Sequence, residues 1–215
     1  MTLTRTQPII HLENVDHRLG RVIHEIGDIE THDYSEVDGF TFLVREIVGQ
    51  MISAKVKKTI YNRLLGICNQ IVTPSTIDAL AISDLRQIGL STSKSNYIKN
   101  LATIVKDGSL NLEELLALPD DEVKKRLTAI KGIGQWTSKM YLLFFLGRED
   151  ILPYEDGAFI QAYKWLYDTE GIKPKDIISR CRVWSPYSSL ASKYLYRALD
   201  TGLTTIDIDS FLSEE

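Results

Sequence analysis

Two groups of residues in this chain have types and spacing that suit chemistry. One is Gly132-Ile133-Gly134, between two apolar helical patterns; the other is the adjacent pair of carboxylates Glu155 and Asp156, one helix further on. Gly132 and Gly134 free the backbone for positive φ and remove two Cβ atoms, so another molecule can come close to the main chain. The N–H groups that open the following helix have no intrahelical partner, and the helix dipole favours an anion such as a phosphate there. A Gly-x-Gly between helices also serves packing alone, so the tripeptide gains meaning only from its setting. The other chemistry-bearing residue types offer less. Cys68 and Cys181 are the only cysteines, too few for a four-thiolate zinc or iron–sulfur site, and they are expected as small buried hydrophobes. His11, His17 and His24 have no cysteine or paired carboxylate at ligand spacing, so no zinc is expected.

The elements that must position these residues read as helices throughout. Val123, Leu127 and Ile130 recur at helical spacing after the start signal Pro119-Asp120-Asp121, and Gln135 to Leu146 continues without Gly or Pro as a largely apolar second helix. Toward the N-terminus, Leu12, Val15, Leu19, Val22, Ile23 and Ile26 share one face of an amphipathic helix stopped by Gly27. Phe40 to Met51 forms the next, and Ser53 can cap another that carries Val56, Ile60 and Leu64. Pro74 to Leu80, Ser83 to Ile88, Ser93 to Lys106 and Leu112 to Leu118 fill the space before the hairpin. After Asp156 come Ala158 to Tyr167, Lys175 to Arg182 and Ser188 to Leu199, the last preceded by the breaker Trp184-Ser185-Pro186-Tyr187. No segment alternates with period two between hairpin turns. The fold class is therefore all-α, without internal repeats or low-complexity stretches.

A chain of 215 residues can bury a sizeable core as one domain or as two lobes. It has no run of about 18 apolar residues that would suggest a membrane span, and Met1 to Pro8 lacks the layout of a secretory signal. We expect a soluble intracellular protein. The net charge of −4 argues against a nonspecific coat on nucleic acid but leaves room for a local basic face. Acids gather at Asp28, Glu30, Asp33, Glu36 and Asp38 and at Asp207, Asp209, Glu214 and Glu215. Basic residues gather at Lys55, Lys57, Lys58 and Arg63, at Lys94 and Lys99, and at Lys124, Lys125, Arg126 and Lys131, each cluster readable as a solvated helix face.

Taken together, these residues resemble the helix-hairpin-helix (HhH-GPD) DNA glycosylases, and within them the alkylpurine or 3-methyladenine branch. The likeness runs from about Phe40 to Leu199 through ordered motifs. They are Val44 to Ser53, then Gly89-Leu90-Ser91 with Lys94 and Tyr97, Leu127 to Thr137, Leu152-Pro153 with Asp156, and Trp184-Ser185-Pro186-Tyr187. The resemblance implies a single glycosylase unit over 1–215, built as two helical lobes with the active site in the cleft between them. The lobes would span about 36–150 for the one with the hairpin and 1–35 plus 151–215 for the other.

The resemblance also assigns roles. It makes Asp156 the catalytic carboxylate, preferred over Glu155 because the family places its aspartate directly before a helix, and a fixed carboxylate stabilises the positive charge that builds on the sugar as an N-glycosidic bond breaks. Enzymes of the family that also cut the backbone carry a lysine two residues after the last hairpin glycine. This chain has Trp136 there, which implies a monofunctional enzyme that uses water and leaves an abasic site; Lys139 lies too far along the helix to substitute. A flipped base must be held against aromatic faces, for which Trp136, Tyr154, Trp184, Tyr187 and Tyr141 are candidates, and a cationic alkylated purine gains from stacking on electron-rich rings. Candidates for DNA contact are Lys131, Gly132, Ile133, Gly134, Thr137 and Lys139 at the hairpin, with Gln50 and Met51 filling or wedging the duplex gap beside Ser53. The implied partner is double-stranded DNA with damaged bases, met by a monomer that needs no cofactor, zinc or iron–sulfur cluster; a monovalent cation on the hairpin carbonyls is in keeping with the family. The protein would work in the cytoplasm of a prokaryote or the nucleus of a eukaryote. Three departures bear on the lesion: Ser188 where the family often has arginine, Met140 where an aromatic is common, and Asp156-Gly157-Ala158, which looks more like the adenine-mismatch branch. Two other readings stay open, the same reaction on a deaminated or etheno base, and a DNA-binding module without chemistry.

Overall fold

A computed structural model describes residues 4–29 and 37–213. The acids Glu30, Asp33, Glu36, Glu214 and Glu215 lie outside the described residues. The chain divides into two compact units, one of Met1–Asp33 with Gly147–Glu215 and one of Tyr34–Leu146. Among the described residues the regular structure is helical, and no helix is long and apolar enough to cross a membrane.

The first unit starts with α1 (Gln7–Val15) and α2 (His17–Ile26). The apolar periodicity runs through both and predicts one helix, but the chain breaks at Asp16. Its carboxylate accepts the Leu19 N–H at 3.1 Å and caps α2, the local bond that an aspartate prefers to a helix interior. The same carboxylate receives the Trp184 indole N–H at 2.9 Å and the Tyr167 hydroxyl, so three donors fix the break.

The second unit follows with α3 (Gly39–Gly49), α4 (Ala54–Ile67), α5 (Pro74–Ala79), α6 (Ile82–Gln87), α7 (Thr92–Lys106), α8 (Asp120–Thr128) and α9 (Gln135–Met140), the last running on as a π-helical turn over Tyr141–Phe145. Its caps come from the expected residue types: Asp38 for α3, Ser53 for α4, Thr73 for α5 and Ser91 for α7 each accept a backbone N–H of the first turn. Helix α3 is central, packed on α4, α7 and α9, and it buries Phe40, Phe42, Leu43, Val44, Ile47 and Val48.

The chain then returns to the first unit through α10 (Gly157–Tyr167), α11 (Pro174–Cys181), α12 (Ser188–Asp200) and α13 (Ile208–Ser213). Leu12, Leu19, Val22 and Ile23 of α1 and α2 share one core with Phe159, Tyr163, Trp184, Tyr194, Leu195 and Phe211. Gly147 to Asp150, expected with the hairpin, belong to this unit. The reason is polar: Asp150 receives the Ser185 and Ser188 hydroxyls at 2.6 and 2.5 Å, and the Glu149 carbonyl receives the Ser189 N–H at 2.9 Å.

Candidate functional site

In the second unit, α8 enters the hairpin with Asp120, Asp121 and Glu122 in its first turn and Lys125 and Arg126 in its last, both matched to the helix dipole. Two tight bonds turn the chain, Ile130 N–H to the Leu127 carbonyl and Ile133 N–H to the Ile130 carbonyl, each 3.0 Å. The two glycines then differ. Gly132 holds φ 98°, and a Cβ there would lie 2.2 Å from Tyr97 Cγ, so both conformation and packing require glycine. Gly134 has φ −97° and ψ −175°, extended backbone open to any residue, and a Cβ there would meet nothing within 4 Å. Nothing inside the described structure requires glycine at the exposed position 134. No side chain caps α9 at Gly134, so its opening N–H groups are not covered in that way.

The turn from α3 to α4 carries the expected wedge residues, and they divide sharply. Met51 is fully exposed, at 101% of its reference area, and holds φ 57°. Left-handed backbone at a residue with a Cβ costs roughly 1–2 kcal/mol. Gln50 does not point a free carboxamide outward: its Nε2 donates to the Gly132 carbonyl at 2.8 Å and to Thr137 Oγ1 at 3.2 Å. Lys94 on α7 donates to the carbonyls of Val48 at 2.9 Å and Gln50 at 2.7 Å, and burial lowers its pKa from the ordinary lysine value. Lys94 and Lys99 are thus not solvated charges, since Lys99 likewise donates to the carbonyls of Ile77, Asp78 and Leu80 at the end of α5. Cations suit helix C-termini because orphan carbonyls and the negative dipole end both face them.

The remaining hairpin candidates fall into two groups. Lys131 is exposed, while Trp136 and Lys139 are partly buried. Ile133 and Thr137 turn their side chains inward, at 3% and 1% exposure, so Ile133 can offer a partner only its backbone, and the Thr137 hydroxyl serves Gln50. Met140 is buried beside them. Tyr141 is wholly buried between Phe42 and Phe145, with ring centroids 5.8 and 4.7 Å away, and so presents no face for a base. Ser53 stays exposed as the cap of α4.

In the first unit, Asp156 is the N-cap of α10, its Oδ1 accepting the Phe159 N–H at 2.9 Å while its own N–H bonds the Pro153 carbonyl at 2.9 Å. Phe159 is wholly buried, so the cap ties the carboxylate to the core. Glu155 differs: it is exposed, and its hydrogen bond to Tyr154 raises the pKa of that phenol. Tyr154 and Tyr187 are half-buried at the margin of the core. Tyr187 meets His11 edge to face at 5.3 Å, and His11 Nε2 lies 3.1 Å from the Val183 carbonyl, a contact between residues too far apart in the chain to be read from spacing. Trp184, expected as a stacking surface, is wholly buried; its indole N–H holds Asp16, and its ring packs on Phe159 at 6.4 Å. Buried indoles find such partners because an unpaired N–H is costly. The Ser185-Pro186 peptide is cis. Among the described residues no group of three or more His, Cys, Asp or Glu is placed to hold a metal ion.

Chemically, the arrangement offers a backbone hairpin suited to an anion, an exposed apolar side chain on a braced turn, and a carboxylate fixed at a helix start. Residues 44–186 match the model of the HhH-GPD superfamily base excision DNA repair proteins. The chain is 29% identical over 197 residues to DNA-3-methyladenine glycosylase 1 of Schizosaccharomyces pombe, covering 89% of this chain and 86% of that protein. A crystal structure of DNA-3-methyladenine glycosidase from Bacillus halodurans superposes with a TM-score of 0.82 at 32% identity, over 99% of this chain and 98% of that one. The S. pombe 3-methyladenine DNA glycosylase in complex with abasic DNA gives a TM-score of 0.84 at 28% identity, over 91% and 97% of the two chains.

Proposed function

The chain belongs to the HhH-GPD superfamily of base excision DNA repair proteins, and from that premise we propose that it hydrolyses the N-glycosidic bond of alkylated purines in double-stranded DNA. The bases released are 3-methyladenine and 7-methylguanine, and the product is an abasic site. The observation that carries this is Asp156, fixed at the start of α10 by its bond to Phe159, in a chain whose hairpin helix has Trp136 where a strand-cutting enzyme needs lysine.

The steps follow from charge. Phosphates meet the backbone at Gly134 and the N–H groups opening α9, aided by Lys131. Met51 occupies the space the extruded nucleotide leaves in the stack. The flipped purine is cationic and stacks on the exposed parts of Tyr154 and Tyr187, in the unit that carries Asp156, which favour it over a neutral base by roughly 0.5–2 kcal/mol. Such a base departs neutral and needs no protonation. As it leaves, positive charge gathers on the sugar, the Asp156 carboxylate stabilises it, and water completes the hydrolysis. Without a lysine nucleophile no covalent imine forms and the strand stays intact. A monovalent cation at the hairpin would share oxygens with its own bonds, since the Ile130 and Gly132 carbonyls each accept one hydrogen bond and retain a second lone pair. Acting on genomic DNA as a monomer, the protein works inside the cell, in prokaryotic cytoplasm or a eukaryotic nucleus.

The test is base release from methylated duplex DNA. Wild type should free 3-methyladenine or 7-methylguanine and leave alkali-labile sites. No release from methylated DNA, with release from a deaminated or ethenoadenine duplex, would transfer the reaction to that lesion. Binding of abasic DNA with no release from any lesion would reduce the protein to a DNA-binding module.

A further inference from the structure

The turn Gln50-Met51-Ile52 holds a conformation it cannot stabilise by itself. Met51 has positive φ and its side chain touches nothing that shields it from solvent; backbone of this kind persists only where the surroundings over-determine it. Here the surroundings are side chains from distant parts of the same unit. From α7, the Lys94 ammonium closes the end of α3 by taking the carbonyls of Val48 and Gln50 at 2.9 and 2.7 Å. From within the turn, Gln50 reaches the hairpin, with its Nε2 2.8 Å from the Gly132 carbonyl and 3.2 Å from Thr137 Oγ1. The base of the turn is also closed, since a Cβ on Gly49 would lie 2.6 Å from Lys57 Cδ, and Lys57 is itself paired with Glu46 at 2.7 Å.

We propose that Gln50 and Lys94 are positioning residues that lock the Met51 turn to the hairpin, so that grip on the phosphates and insertion of Met51 into the base stack share one register. This rests on the reading of Met51 as the wedge. The two contacts divide the work. Lys94 fixes the end of α3, which sets where the turn begins, while the Gln50 carboxamide fixes the turn against the loop that holds Gly134. Neither residue needs to touch DNA. Loss of either should therefore spare the phosphate contacts, which set affinity and its salt dependence, and weaken insertion.

The experiment uses the full chain and a duplex with a tetrahydrofuran abasic analogue flanked by 2-aminopurine. Affinity is read by anisotropy, opening of the stack by the fluorescence gained on binding, and folding of each variant by its melting curve. Wild type should bind and brighten the probe; Met51→Ala should bind and brighten it far less. Gln50→Leu and Lys94→Met should lose at least half of the brightening with affinity within about threefold of wild type, whereas Lys94→Arg, which keeps the donors, should recover part of it. In the Met51→Ala background Gln50→Leu should cost nothing further, because a residue that acts through another is not additive with it. If Gln50→Leu does not fold, Gln50→Asn keeps the carboxamide one methylene short and takes its place. Full brightening by Gln50→Leu, or additive losses with Met51→Ala, would overturn the proposal. Full brightening by Met51→Ala would instead overturn the wedge reading beneath it, and failure of wild type to bind would overturn the DNA reading as a whole.

Discussion

Replacing each hairpin glycine by alanine separates what the fold needs from what a ligand needs. At Gly132 the added methyl would sit 2.2–2.5 Å from Tyr97 Cγ, Cβ and Cδ2, on backbone at φ 98°. Overpacking of that kind costs about 1–3 kcal/mol and left-handed backbone about 1–2 more, so Gly132→Ala should lower the melting temperature by roughly 5–15 °C in a chain of this size. At Gly134 the backbone is extended and the methyl meets nothing within 4 Å. Gly→Ala at a compatible position stabilises by about 0.4–1 kcal/mol through the unfolded chain, so the melting temperature of Gly134→Ala should stay level or rise slightly. Its DNA affinity should nevertheless fall about tenfold or more, as expected when a hydrogen bond to a charged phosphate, worth roughly 1.5–3 kcal/mol, is forced apart. Differential scanning fluorimetry and a salt-titrated binding curve on abasic duplex measure both quantities. A Gly134→Ala protein that melts as early as Gly132→Ala, or that binds DNA with unchanged affinity and salt slope, would refute the division of labour between the two glycines.

Three further outcomes are expected. Asp156→Asn keeps the cap on α10, because asparagine caps about as well as aspartate, so base release from methylated DNA should fall about a hundredfold or more at nearly unchanged melting temperature; a loss confined to stability would make Asp156 a cap only. Trp184→Phe removes a donor to Asp16 and part of a wholly buried ring, and should destabilise by about 2–4 kcal/mol in denaturant titrations while leaving the choice among lesion bases unchanged; an altered lesion preference would return Trp184 to the pocket. Burial, with the charges of Asp28 and Glu13, pushes Tyr194 up to about 12, and its hydroxyl donates to the Gly27 carbonyl at 3.1 Å. Since the unfolded phenol titrates near 10, the stabilisation is whole below that pH and is lost as pH rises toward 12, by roughly 2–3 kcal/mol. Tyr194→Phe should flatten that alkaline loss in urea titrations, and an unchanged slope would count against it.

Local features of this chain were legible in its sequence and long-range ones were not. The hairpin could be found because two glycines and a change of helical pattern fall within a few residues, and Asp156 because the family that the chain resembles places its aspartate directly before a helix. The break at Asp16 could not, since Leu12, Leu19 and Val22 keep one apolar period straight across it and the deciding partners, Trp184 and Tyr167, stand 168 and 151 residues away. Gln50 was expected to face DNA for the same reason: its hydrogen-bond partners Gly132 and Thr137 are 82 and 87 residues distant. Lys94 resembled any surface lysine, because nothing in a composition shows that its ammonium ends on carbonyls 44 and 46 residues back. Aromatics were the least readable class, as Trp184 and Tyr141, buried, and Trp136 and Tyr187, partly exposed, carry no local mark that tells them apart.

The two-segment make-up of the first unit has a consequence for how the chain leaves the ribosome. The apolar faces of α1 and α2 are made before the rest of their unit, and their buried core partners begin with Phe159 and extend to Phe211. Residues 34–146 can gather their own core in the interval, whereas Leu12, Leu19 and Ile23 must wait for more than a hundred further residues, on the order of ten seconds at about 5–20 residues per second. Vectorial synthesis therefore leaves the nascent α1–α2 segment as the part of its unit with most need of chaperone cover, and the second unit, made in one uninterrupted stretch, as the part free to fold before the first is complete.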